Sequence, residues 1–145
     1  GFVDFGCVQP IENERLKWAR QLHTAAHSGD QKAFDEAACG MLDTRGGKYE
    51  EMVKEYAAMC FRPITDSPFH LTQDFAASLV QHFKDMAVTI VKTKNDNFVP
   101  MPPGILFINR LQFGFFSVLA RLDVEADYAA AERTFLQDFI TETES

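Results

Sequence analysis

The 145-residue chain has no uninterrupted apolar run approaching the roughly 20 residues needed to cross a bilayer, and no charged n-region ahead of an apolar h-region. It reads as a soluble chain. Basic residues are outnumbered, 14 Lys and Arg against 21 Asp and Glu, for a net charge of −7, and nowhere form a run. That argues against a nucleic-acid binder that works by neutralising phosphates. Cysteine is scarce and widely spaced: Cys7, Cys39 and Cys60 never approach a Cys-x-x-Cys arrangement. The pattern excludes a disulfide framework, argues against a structural zinc site, and reads as reduced intracellular thiols. No serine lies in a strained, glycine-flanked turn, so a Ser-His-Asp hydrolase has no starting point. Internal repeats and low-complexity tracts are absent as well.

What is present is helical periodicity in a chain that is 46% hydrophobic, enough for one compact domain over residues 1–145. Gly1-Phe2-Val3 is a short β-prone run. From Ile11 to about Ser28, Leu16, Ala19, Leu22 and Ala26 recur three or four apart, predicting a helix that Gly29 stops. Asp30 caps a second helix, to about Leu42, with Ala33, Phe34, Ala37, Ala38 and Met41 inside. A third, from about Lys48 to Phe61, buries Tyr49, Met52, Val53, Tyr56 and Cys60, and the proline-containing "RPITDSPFH" predicts a loop after it. Thr72 caps a fourth helix to about Lys92, with a ladder of Phe75, Leu79, Phe83, Met86 and Ile90. The linker "NDNFVPMPP" ends it, and Pro102-Pro103 starts a fifth helix, "GILFINRLQFGFFSVLARL".

The fifth helix is the most apolar segment. Arg110, Gly114, Ser117 and Arg121 form one narrow polar stripe, with Asn109 and Gln112 beside it, which predicts a buried central helix whose stripe reaches an edge. A face in contact with a membrane is the other reading, and Asn109, Arg110 and Gln112 argue against a spanning helix. A last amphipathic helix, from about Ala126 to Ile140, uses Tyr128, Phe135, Leu136 and Phe139. The expected fold is mainly α: about six helices and a short N-terminal strand. Because the chain opens inside what reads as a strand with no earlier segment to pair with, a piece of a longer protein is expected.

Asp4-Phe5-Gly6 follows the β-prone run, so its carboxylate falls at a strand end, where side chains can face a ligand. Phosphoryl transfer requires a cation held by hard oxygen ligands, and Asp4 suits that; an ordinary solvated strand-end acid is the plain reading. Cys7 reads as a small packing residue behind it. His23 and His27, in "HTAAH", lie one helical turn apart and could present two imidazoles to a metal. Zinc would want a third ligand, and surface or partly buried histidines are the favoured reading. Glu12, Glu14 and Glu50-Glu51 read as solvated helix faces.

"FVDFGCVQPI" followed at once by a helix, together with "MPPGILFINRLQFGFFSVLARL", resembles the C-terminal lobe of the UbiB/AarF-type atypical kinase family. An ordinary protein kinase would carry a long activation segment and an Ala-Pro-Glu motif after Asp-Phe-Gly; here Pro10-Ile11 leads directly into a helix. The resemblance covers nearly the whole chain, strongly at residues 2–8, fairly specifically at 102–122, and by general helical character between. It implies the helical C-lobe portion of a protein-kinase-like fold. It implies that Asp4 ligands Mg²⁺ on the phosphates of ATP, with Phe5 packed beneath the site and Gly6 turning the backbone away. The parent would be an ATP-dependent atypical kinase or ATPase, linked to isoprenoid-quinone (ubiquinone) biosynthesis or other lipid metabolism. Its expected location is cytoplasmic, at the periphery of a membrane.

The family's lysine-bearing N-lobe, alanine-rich nucleotide loop and catalytic-loop Asp and Asn have no counterpart here, so the chain alone should not turn over ATP. The partners expected are nucleotide in the intact protein, a prenyl lipid or membrane surface, and a second copy in a homo-oligomer. The rival reading is a non-catalytic helical module that binds a lipid or a protein partner, motivated by the greasy Ile105–Leu122 segment and 12% aromatic content.

Overall fold

The computed structural model describes residues 10–92 and 104–141. The strand expected at Gly1–Val3, the Asp4-Phe5-Gly6 motif, Cys7 and most of the linker after Lys92 lie outside the described residues. Among the described residues six helices follow in order: α1 (Asn13–Ser28), α2 (Gln31–Leu42), α3 (Gly47–Thr65), α4 (Gln73–Lys92), α5 (Ile105–Leu122) and α6 (Tyr128–Thr141). Two-residue strands β1 (Phe69–His70) and β2 (Glu125–Ala126) pair antiparallel, with Phe69 opposite Ala126 and His70 opposite Glu125. The mainly-α expectation is met, and the small sheet is an addition to it.

Local chemistry sets the boundaries. Gly29 closes α1 in the left-handed region at φ 70°, its N–H bonded to the Ala25 carbonyl, and the Asp30 side chain accepts from Ala33 N–H to start α2. Thr72 accepts from Phe75 N–H at the start of α4. The third helix departs from expectation by running through Pro63 to Thr65. Proline removes one N–H and its ring crowds the preceding turn, but near a helix end few further bonds depend on it. Pro63 is buried, and Arg62 Nε donates to Asp66 at 2.9 Å across the final turn.

Two clusters make the core. One joins Leu22, Ala25 and Ala26 of α1 to Phe34, Ala37 and Ala38 of α2. The other gathers Tyr56, Cys60, Leu71, Phe75, Leu79, Met86 and Ala120. Phe61 packs against both. The α1–α2 approach is close because Gly40 faces Trp18: a Cβ at Gly40 would stand 2.6 Å from the indole ring.

The central helix is α3, which packs against α1, α2, α4, α6 and β1; α5 packs chiefly against α4. The expected central position of α5 is therefore corrected. It buries Ile105, Asn109 and Ala120 and half-buries Phe113, Phe116 and Leu119, while Leu111, Phe115, Val118 and Leu122 are 60 to 64% exposed. A helix that is apolar almost all round has two apolar sides to offer, and one neighbour covers only one of them. Two further inner-face expectations give way similarly, Leu16 at 38% and Phe135 at 66% exposed.

Candidate functional site

The residues proposed from sequence to carry chemistry divide sharply. Asp4, Phe5 and Gly6 lie outside the described residues. Pro10, four positions beyond Gly6, and Ile11 are exposed, and α1 starts at Asn13 behind an extended Glu12. Glu12 and Arg15 approach to 3.6 Å, and Arg15 also donates to the Met41 carbonyl at 2.7 Å and to Asp43 at 3.1 Å, tying the start of α1 to the end of α2.

His23 and His27 share one face of α1, as their spacing predicts, and Glu132 of α6 meets both. Its Oε2 lies 2.7 Å from His27 Nε2, and its Oε1 lies 2.7 Å from His23 Nδ1, in a close polar contact that is not an aligned hydrogen bond. His27 Nδ1 is buried with no partner, which puts the donated proton on Nε2. His23 also stands edge-on to Phe61, ring centres 4.8 Å apart. Burial pushes the Glu132 carboxyl upward, but the two imidazoles outweigh it and hold the group below the ordinary glutamate value.

The third group that the histidine pair lacked in sequence is thus a carboxylate, and it acts as a clamp between helices. The two imidazoles reach different oxygens, and among the described residues no cluster of three or more His, Cys, Asp or Glu side chains is arranged to hold a metal ion. A second tie fixes the start of α6: Asp127 accepts from Ala130 N–H and from the Ser67 hydroxyl, both at 2.8 Å.

Cys60 is buried, and burial pushes its thiol up to about 11, which makes it a packing residue with little thiolate character. Burial likewise raises Cys39 and Tyr56. Glu50 is more than a solvated acid. It accepts from Lys54 at 3.0 Å, from the Thr44 hydroxyl at 2.8 Å and from Gly46 N–H at 2.9 Å, anchoring the loop that leads into α3. Those bonds, led by Lys54, lower its pKa.

The α5 surface combines the exposed apolar row with the exposed Arg110, Gly114, Ser117 and Arg121 stripe that the sequence predicts. Below its C-terminal end is an open hollow of about 430 Å³ lined by Thr72, Gln73, Asp74, Ala120, Arg121 and Asp123. Its two carboxylates oppose an anionic occupant. No described helix is long and apolar enough to cross a membrane. No family model, curated protein or solved structure matches the chain.

Proposed function

We propose that this chain is the helical C-lobe portion of a UbiB/AarF-type, ATP-binding atypical kinase or ATPase whose parent serves isoprenoid-quinone or other lipid metabolism. The observation that supports it is the start of α1 at Asn13, one residue beyond Pro10-Ile11. So short an interval after Asp-Phe-Gly leaves no room for the activation segment of an ordinary protein kinase. In this reading Asp4 supplies a carboxylate oxygen to Mg²⁺, Phe5 packs beneath the site, and Gly6 lets the backbone turn away. A cation held by Asp4 would offset the charge of the ATP phosphates there. The remaining nucleotide-binding groups belong to the parent protein. Calorimetry on the intact parent tests this: Asp4→Asn abolishes Mg²⁺-dependent ATP binding and leaves the fold unchanged, whereas an unaltered affinity counts decisively against it.

A second reading, a non-catalytic module that binds a lipid or protein partner, is favoured by the exposed row Leu111, Phe115, Val118 and Leu122. Co-sedimentation with vesicles addresses its lipid form. Absence of retention, with and without anionic lipid, leaves only a protein partner.

A further inference from the structure

On α5, Leu111, Phe115, Val118 and Leu122 recur at spacings of four, three and four, and all are 60 to 64% exposed. Scattered exposed apolar residues are ordinary; four in register along one helix form a seam. Spacings alternating between four and three are what one helix of a coiled-coil-like pair presents to another. Beside the seam run Arg110, Gly114, Ser117 and Arg121, all exposed, and nothing lies within 4 Å of where a Gly114 Cβ would stand. Small residues at Gly114 and Ser117 admit a second backbone close to the first.

Charge is distributed unevenly along this face. The helix contains no acidic residue, and Arg110 is the charged group of its N-terminal half. At the far end Arg121 is followed by the exposed Asp123 and Glu125. One end is therefore net positive and the other net negative. The Asp123 side chain, 2.8 Å from His70 Nε2, remains 76% exposed.

The geometry points to a second copy of this chain as the occupant of this face, with the two α5 helices docked antiparallel across a two-fold axis. Leu111 then meets Leu122 of the second copy and Phe115 meets its Val118, so one seam satisfies the other. Arg110 faces the acidic Asp123 and Glu125 end, and symmetry repeats the attraction. A parallel pair would set Arg110 against Arg110 and Asp123 against Asp123. An anionic bilayer fits less well, because only two arginines flank the seam on a chain of net charge −7. A three-turn seam lies at the low end of specific interfaces, roughly 1,000–1,200 Å² in total. This assignment rests on the second reading's exposed face and is independent of the nucleotide site.

Sedimentation equilibrium of the full chain over a micromolar series tests it. The wild type self-associates to a dimer, and Phe115→Glu and Val118→Glu each raise the dimer dissociation constant at least tenfold while leaving the circular dichroism spectrum, and the Tm at concentrations where all are monomeric, unchanged. Raised ionic strength and Arg110→Glu each weaken the dimer severalfold; insensitivity to both overturns the antiparallel arrangement. A wild type that stays monomeric throughout, or a dimer that tolerates both glutamates, overturns the proposal. Retention of a monomeric wild type on phosphatidylcholine–phosphatidylserine vesicles, lost with Phe115→Glu, assigns the face to lipid; it overturns this proposal while the second reading stands. A wild type that shows neither association nor retention overturns this proposal together with the lipid form of the second reading.

Discussion

Glu132 and His27 meet at 2.7 Å although 105 residues separate them, and the same carboxylate reaches His23 one helical turn away. The pair joins the last helix to the first. With Asp127 and Ser67 at the start of α6, it contributes polar contacts that hold α6 on the bundle.

Glu132→Gln should therefore destabilise the protein by about 1–2 kcal/mol at neutral pH, since a charge-assisted contact is replaced by a neutral one and the partly exposed His23 limits the loss. Chemical denaturation measures the loss, and hydrogen exchange should localise the added opening to α6. An unchanged exchange pattern in α6 would mean that the clamp contributes nothing.

The same contact has a pH signature. The folded-state pKa of Glu132 lies below its unfolded value, so the carboxylate contributes stability that is fully present above the ordinary glutamate pKa of about 4.3 and is lost as pH falls through the lower folded value. Glu50, lowered by its bond to Lys54, works in the same direction. The stability gap between wild type and Glu132→Gln should narrow on acidification across that window. A gap that widens there would contradict the assignment.

Gly40→Ala offers a test in which two effects oppose. Alanine favours an exposed helix interior by about 1 kcal/mol over glycine, but here its Cβ would stand 2.6 Å from the rigid indole of Trp18. Overpacking of this kind costs about 1–3 kcal/mol. The expected outcome is a lower Tm, recovered when Trp18 is shortened to Leu in the same chain.

Leucines on the neighbouring helices α4 and α5 should respond very differently to the same truncation. Leu79→Ala, at a fully buried position, should cost about 2–5 kcal/mol. Leu111→Ala, with Leu111 60% exposed, should stay within about 0.5 kcal/mol under conditions where the chain is monomeric. Denaturant midpoints at low protein concentration distinguish them.

These contrasts show where sequence reading reaches its limit. Helices α2 and α4 were legible nearly to the residue, because Asp30 and Thr72 are local caps and Phe75, Leu79 and Met86 repeat at one period. Pro63 misled, because its cost depends on how many bonds follow it, and at the end of α3 few do. The burial of α5 was misjudged for another reason. Periodicity records which sides of a helix are apolar, not how many neighbours arrive to cover them, and α3 occupies the centre instead. Glu132 gave no signal at all: its role exists only once α6 lies beside α1. Asp4 is the reverse case, legible as a motif but outside the described residues.

The proposed role of Asp4 as a metal ligand in a nucleotide site is decided in the intact parent. A crystal structure of the intact parent with Mg²⁺ and a non-hydrolysable ATP analogue tests it most directly. The expected result is an Asp4 carboxylate oxygen about 2.0–2.1 Å from the ion, as magnesium coordination requires. A nucleotide-bound structure in which Asp4 faces bulk water and the ion is held by other groups would contradict it.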